Sequence, residues 1–260
     1  MAEATAVKNK PAWVDLSARD PAAARDFYTA LFGWTVEEIS DPDGYGLFKR
    51  EGKEVGGISP LRDMQQPTAW TMHVLVDSVD AAVQRVQKEG GTVRFQPTDI
   101  RGQGRVAVVE DPSGAVFGLW QPLRHQGWDV AGEPGTACWF ELQSLDLEPA
   151  KDFYAHVFDW KSTKLELPSQ GYTTFGYHDN DAFAGGMQRP TARPQHLASF
   201  WQPYFAVSDL DEMAARAENL GATVLTPPQE AENVGRWVVL QDPQTAMFGL
   251  LRPSRRGPAP

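Results

Sequence analysis

Cysteine is almost missing from this chain of 260 residues: Cys138 stands alone, so no internal disulfide can form. A reducing, cytoplasmic setting is the matching expectation. Long apolar runs are missing too. No stretch approaches the ~18 consecutive apolar residues of a membrane span, and the polar start, residues 1–10, lacks the apolar centre of a secretory leader. Basic residues are in the minority, 24 Lys and Arg against 34 Asp and Glu, for a formal net charge of −10. Nucleic acid and anionic membrane surfaces both call for a basic patch, so neither is expected as a partner. There is no Gly-x-x-x-x-Gly-Lys phosphate loop and no Gly-x-Ser-x-Gly nucleophile elbow. The loop Arg101-Gly102-Gln103-Gly104-Arg105 is not a dinucleotide fingerprint, because no helix follows it.

What the chain does have is a copy of itself. Trp13-Val14-Asp15-Leu16, Arg25-Asp26-Phe27-Tyr28 and Phe32-Gly33-Trp34 return at an offset of 126 as Trp139-Phe140-Glu141-Leu142, Lys151-Asp152-Phe153-Tyr154 and Phe158-Asp159-Trp160. Further on, Trp70, Asp80, Gly104-Arg105, Asp111-Pro112 and Phe117-Gly118-Leu119 return at an offset of 131 as Trp201, Asp211, Gly235-Arg236, Asp242-Pro243 and Phe248-Gly249-Leu250. With 42% hydrophobic residues, the chain is long enough for two domains, each with its own core.

Within each copy a five-element pattern occurs twice. Residues 12–18 read as a strand, and Asp20 then caps a helix with Pro21 at its first position. Ala24, Phe27, Tyr28, Leu31 and Phe32 share one face of that helix. Residues 34–39, 45–50 and 53–61 follow as strands, with Asp41-Pro42-Asp43-Gly44 as a turn. The same order follows with a strand at 70–76, a helix at 79–89, and strands at 92–96, 104–110 and 115–121. The chain thus divides into an 11–123 domain (modules 11–61 and 69–122), a linker 124–134, and a 135–253 domain (modules 136–189 and 199–253). Residues 1–10 and 254–260 are read as flexible ends.

These features resemble the vicinal oxygen chelate superfamily, which includes glyoxalase I, bleomycin-resistance proteins and extradiol dioxygenases. The Asp-Phe-Tyr helix, the Phe-Gly-Trp that ends it and the closing Asp-Pro…Phe-Gly-Leu strand carry the resemblance. The chain is most similar to two-domain glyoxalase-like proteins of actinobacteria, some of which lie in antibiotic pathways. The resemblance implies an α+β fold of two tandem domains, each of two βαβββ modules forming a half-open barrel with its ligand in the concave face.

It also implies where metal ligands would sit. Two opening-strand positions fall on Trp13 and Thr71 in the first copy and on Trp139 and Gln202 in the second. The closing-strand position falls on Gly118 and Gly249, and the remaining one lies near residues 56–59 and 185–188. Divalent metals need His or carboxylate there, and these stretches offer none. No metal and no other cofactor is expected.

Two residues beyond each vacated position, period two aims Asp15 and His73 into the first cavity and Glu141 and Tyr204 into the second. Asp15 with His73 has the composition of an acid–base pair. It also has that of a buried polar pair that satisfies itself, or of two ligands of a shifted metal site. Trp13 and Trp139 would stack on an aromatic ligand or fill space. Thr71, Gly118, Gln202 and Gly249 line the cavities, and Arg101 is placed on a loop able to meet an anionic group. Gly56-Gly57 and Gly185-Gly186 suggest a bulge. Trp34 and Trp160 are core, Arg105 and Arg236 structural ion pairs, and Cys138 a packed thiol. His125, His156, His178 and His196 show no metal-ligand spacing.

Three functions remain open on these residues. The first is a metal-independent enzyme acting by proton transfer on a hydrophobic, aromatic small molecule. The others are a non-catalytic small-molecule binding or resistance protein, and a metal-dependent lyase or dioxygenase with shifted ligands. The chain is expected as a monomer or homodimer.

Overall fold

Each module opens with a strand that feeds a capped helix. In this computed structural model the described residues are 7–39, 44–166, 171–178, 181–189 and 198–254. The turn residues 41–43, His196 and the tail from 255 lie outside them, as do residues 1–6.

The first half holds β1 (Pro11–Ala18), α1 (Pro21–Phe32), β2 (Thr35–Glu38), β3 (Gly46–Arg50) and β4 (Lys53–Pro60), then β5 (Ala69–Leu75), α2 (Val79–Lys88), β6 (Thr92–Ile100), β7 (Gly104–Glu110) and β8 (Val116–Pro122). The second half repeats this with β9 (Ala137–Ser144), α3 (Leu147–Phe158), β10 (Lys161–Glu166), β11 (Gly171–Gly176) and β12 (Ala184–Gln188). It closes with β13 (Phe200–Ala206), α4 (Leu210–Asn219), β14 (Thr223–Ala231), β15 (Gly235–Gln241) and β16 (Met247–Pro253). The four βαβββ modules are therefore present. Asp20 caps α1 by accepting from the Ala23 N–H, and Gly33 ends it in the left-handed region at φ 70°. Asp159, which stands in the Gly33 position of the repeat, adopts the same conformation at φ 62°.

Each half forms one mixed sheet of eight strands, in the order β2-β3-β4-β1-β5-β8-β7-β6 and its repeat β10-β11-β12-β9-β13-β16-β15-β14. Both are open sheets; neither closes into a barrel. The centre of the first is β4-β1-β5-β8. There β1 runs antiparallel to β5 and parallel to β4, while β5 runs parallel to β8.

The expectation of a separate core in each half is not what the structure shows. One continuous cluster of buried residues takes in both sheets and all four helices. Phe205 of the second sheet packs on Phe32, Trp34 and Trp70 of the first half, with ring centroids 5.1–5.6 Å apart. Phe117 of the first sheet packs in turn on Phe153, Tyr154 and Phe158. The helical stripes that the sequence aims at a local core lie between the two halves.

Two reciprocal hydrogen-bonded chains run through this shared core. Trp70 Nε1 donates to Tyr28 Oη (2.9 Å), which donates to Asp242 Oδ2 of the other half (2.9 Å). Trp201 Nε1 donates to Tyr154 Oη (2.7 Å), which donates to Asp111 Oδ2 (3.0 Å). Each aspartate uses its other oxygen to hold its own turn: Asp111 accepts from the Ser113 and Ala115 N–H groups, Asp242 from those of Gln244 and Ala246. Removing the Tyr28 hydroxyl strands a buried indole N–H and a buried carboxylate oxygen at once. Tyr28→Phe is therefore expected to lower the free energy of unfolding by about 1–3 kcal/mol, read from urea denaturation. Tyr154→Phe should cost a similar amount, and an unchanged midpoint in both would refute the bridging role.

Candidate functional site

Side-chain alternation along β1 and β5 sets the first site. Trp13 lies directly opposite His73, and Asp15 opposite Thr71. Asp15 is thus a diagonal neighbour of His73 on the same face, within reach of long side chains. The structure brings the two together: His73 Nε2 lies 3.0 Å from Asp15 Oδ2. The other carboxylate oxygen, Oδ1, accepts from Tyr45 Oη (2.6 Å) and from Trp13 Nε1 (2.8 Å). The same indole N–H also lies 3.0 Å from Tyr45 Oη.

Burial alone would push the Asp15 carboxyl up. That effect is the largest single one, but the charge of His73 and the hydrogen bonds from His73, Tyr45 and Trp13 together outweigh it and hold the group below the usual carboxylate range. Burial, then the neighbouring Asp15 charge, drives the Tyr45 phenol well above its ordinary value. An anionic Asp15 fixes the proton of a neutral His73 on Nε2. Nδ1 has no hydrogen-bond partner among the described residues and lies over Gly118.

Glycines make the room. Asp15 is paired with Gly57 and His73 with Gly118. A Cβ at Gly57 would stand 2.0 Å from Tyr45 Oη and 2.1 Å from Asp15 Oδ1, and one at Gly118 would stand 2.0 Å from His73 Nδ1. The expected bulge is in fact displaced from the glycine pair: the β3–β4 register slips around Val55, between Glu54 and Gly56. Gly57 serves close approach instead.

The second site has the same frame and different chemistry. Glu141 lies opposite Gln202 and beside Gly185, and Trp139 lies opposite Tyr204. Glu141 Oε1 accepts from Tyr204 Oη (3.2 Å) and Gln143 Nε2 (2.5 Å). Trp139 Nε1 donates to Tyr172 Oη (2.9 Å), the counterpart of Tyr45. Burial, then the Glu141 charge, raises both the Tyr172 and Tyr204 phenols well above their ordinary value. Gly249 leaves space for the Tyr204 ring as Gly118 does for His73. Gln202 is buried beside the Tyr204 hydroxyl.

Arg101 does not join the first cluster: it is exposed at the turn between β6 and β7. Arg105 pairs with Asp80 (3.0 Å) and Asp99 (2.8 Å), and Arg236 with Asp211 (2.8 Å), as structural ion pairs. Trp34 and Trp160 are buried in the core, donating to the backbone carbonyls of Gly135 and Asn9. Cys138 is buried among Tyr204, Ala206 and Val239, and burial pushes its thiol up. His156 is exposed and lies 3.0 Å from Glu89.

Sequence reasoning missed Tyr45, Gln143, Glu54 and His125. Tyr45 had a signal, since Tyr172 repeats it at an offset of 127. Gln143 lies two residues beyond Glu141 on the same face, whereas Glu54 and His125 meet only through the course of the linker.

A divalent metal of the kind the resemblance implies does not fit these residues. The positions that would supply ligands hold Trp13, Thr71 and Gly118, and indole and glycine have no donor to give. Among the described residues no group of three His, Cys, Asp or Glu side chains could hold an ion. No described helix is long and apolar enough to cross a membrane.

Comparison with known proteins agrees with this architecture. The profile of the Glyoxalase/Bleomycin resistance protein/Dioxygenase superfamily matches residues 10–119 and again 136–249. CFP32 of Mycobacterium bovis, named as a candidate glyoxylase, is 37% identical over 253 residues, covering 94% of this chain and 95% of that protein. The anthracycline biosynthesis protein DnrV of Streptomyces peucetius is 35% identical over 261 residues, covering 93% and 92%. Among solved structures, the 2,3-dioxygenase LapB from Pseudomonas sp. KL28 superposes with a TM-score of 0.68 at 12% identity, covering 99% of this chain and 95% of its own. The Mn(II)-bound glyoxalase from Novosphingobium aromaticivorans gives 0.65 at 16%, covering 94% and 82%. At those identities the likeness is one of fold.

Two outcomes test the geometry of the first site. Gly118→Ala is expected to displace the His73 ring and to cost about 1–3 kcal/mol of stability by overpacking, read by denaturation; unchanged stability would mean the ring is not held there. The second concerns pH. Asp15 has a folded-state pKa below its unfolded value, so its contribution is complete above the unfolded value of about 3.9. It is lost as pH falls through the lower, folded one. The stability gap between the native chain and Asp15→Asn should therefore shrink as pH falls below about 4. A gap that widens below that pH would reverse the sign of the shift.

Proposed function

The chain belongs to the glyoxalase/bleomycin resistance protein/dioxygenase superfamily, and on that premise we propose that its first half is an enzyme site that moves a proton on a small hydrophobic, aromatic molecule without a metal. The observation that carries this reading is the Asp15–His73 pair. One carboxylate oxygen engages Nε2 at 3.0 Å while the other is held by Tyr45 and Trp13. Such a carboxylate is fixed in place, orients the imidazole through Nε2 and leaves Nδ1 as the nitrogen that exchanges a proton with a substrate. Reaction types within reach are an isomerisation, a cyclisation, a hydration or an elimination. Each needs a proton removed and one returned, and none needs a redox partner.

Small-molecule metabolism is supported by the relatives. DnrV is named for anthracycline biosynthesis and matches across most of both chains. A polycyclic aromatic substrate is what that likeness favours, together with the Trp13 indole bonded to Asp15.

The second cavity favours a different reading, a ligand held without chemistry. Tyr204 stands where His73 does, and its raised phenol does not titrate near neutrality.

The test is a turnover screen of polycyclic hydroxyaromatic and quinone compounds, with binding followed in parallel by tryptophan quenching. Asp15→Asn and His73→Ala should each cut turnover by about 10²–10⁴-fold while leaving the dissociation constant within a few-fold. Native rates in both variants would sink the pair as the proton-transfer group. Elemental analysis of protein purified without chelator covers the rest. A near-stoichiometric ion lost together with activity would overturn the metal-free reading.

A further inference from the structure

The segment that joins the halves does more than connect them. Leaving β8, it is held at one end by the Leu123 and His125 N–H groups, both donating to the Gln103 carbonyl in the β6–β7 turn (2.9 and 3.1 Å). At the other end the Trp128 N–H donates to Ala12 of β1 (2.9 Å) and the Asp129 N–H to Glu54 of β4 (2.9 Å). Asp129 Oδ2 accepts in return from the Glu54 N–H at 2.8 Å. The segment therefore runs from the β7–β8 side of the first sheet to β4.

On the way it delivers a histidine to the first site. His125 Nδ1 lies 3.1 Å from Glu54 Oε2, and both side chains are largely covered. The imidazole meets the Trp13 indole edge-on, with ring centroids 4.4 Å apart at 86°, and packs beside Trp120 at 5.5 Å. Trp13 is the residue whose N–H binds Asp15. Tyr45, which also binds Asp15, feels the Glu54 charge as well. The two carboxylate–imidazole pairs are thus one side chain apart, with Trp13 between them. Lys49 adds a positive field at Glu54, which its bond to His125 and then the charges of His125 and Lys49 hold below the usual carboxylate range against burial. His125 Nε2 has no hydrogen-bond partner among the described residues, and the side chain as a whole keeps 16% of its exposure.

A purely structural clasp does not account for the imidazole, because the backbone bonds already hold the segment at both ends. Nor is the pair a feature of the repeat. Gly57 and Gly185 are equivalent through their register with Asp15 and Glu141. Three residues earlier the first copy has Glu54 and the second has Ala182. The extra pair occurs in the copy that also has His73.

We propose that His125, paired with Glu54, is a second proton-handling group of the first cavity, serving a substrate atom across the Trp13 indole from the one that His73 serves. The proposal rests on the proton-transfer reading of Asp15 and His73. When His73 Nδ1 accepts a proton from the substrate, the electron pair of the broken bond stays in the substrate. A protonated His125 then delivers one proton from Nε2 to a second substrate atom. The substrate keeps its atoms and charge, and the two imidazoles reset by exchange with solvent. The substrates that suit such a site carry two polar or acidic positions separated by about the width of an aromatic ring system.

The test has one arm without substrate and one with it. In ¹⁵N spectra of the full chain labelled at histidine, above the pH at which each ring is neutral, His73 should carry its proton on Nε2 and His125 on Nδ1. An Nε2–H tautomer at His125 overturns the proposal without reference to turnover. With a compound that the native chain converts, His125→Gln should lower kcat by about 10²-fold, leave KM within about threefold and remove one limb of the pH profile. Glu54→Gln should act in the same direction and less strongly. Native kcat and pH profile in His125→Gln overturn this proposal and leave the Asp15–His73 reading standing. Native turnover in His73→Ala overturns that reading instead.

Discussion

The contact of each tyrosine hydroxyl with an aspartate of the opposite half is the constraint on which the rest of the molecule rests. Tyr28 and Tyr154 sit on the buried faces of α1 and α3, and their acceptors are the aspartates that hold the turns before β16 and β8. A phenol can be buried this deeply only if its hydroxyl is bonded. Its partner lies across the chain, so neither helix can seat without the other sheet in place. Two sheets that share one core and are pinned at two related points leave their central strands, and the side chains on them, with a fixed geometry. The positions of Asp15 and His73 inherit that rigidity through β1 and β5.

Much of this was legible in the sequence, and the reasons are specific. The βαβββ order could be read because Asp20, Pro21 and Gly33 punctuate α1, and because a second copy repeats the pattern. The facing of Asp15 and His73 followed from period two on strands whose ends could be placed. The reading fell short where the period breaks. The pattern on β6 stops at Gln96, before Pro97, yet the strand continues to Ile100, because two slips in its pairing with β7 carry it past the proline. Gly57 read as a bulge because sequence shows only that a side chain is missing. What takes the space, Tyr45 and Asp15, is a matter of tertiary packing. His125 could not be placed from sequence, since a connecting segment has no period and its course is set by hydrogen bonds to residues 20 to 116 positions away.

Duplication makes the two cavities each other's control. Both keep a tryptophan, a tyrosine and a carboxylate in one arrangement, so that frame is a property of the fold. They part at the position opposite the tryptophan, where the first has an imidazole and the second a phenol. Imidazole changes charge near neutrality, whereas a buried phenol beside a carboxylate stays protonated far above it. The sites also differ at Asp15 against Glu141 and at Thr71 against Gln202, so the frame is shared while the polar groups on it are not.

The reciprocal bridges also bear on how such a chain can arise. Asp111 and Asp242 are repeats of one residue, as are Tyr28 and Tyr154. A lone first half would therefore possess both the donor and the acceptor of the contact it now makes with its neighbour. Its interface is self-complementary, so an ancestral single-length chain could have met a second copy of itself through the same surface. Joining two such copies end to end would then tether a partner already fitted, and divergence of one member would need no new way of holding the pair together.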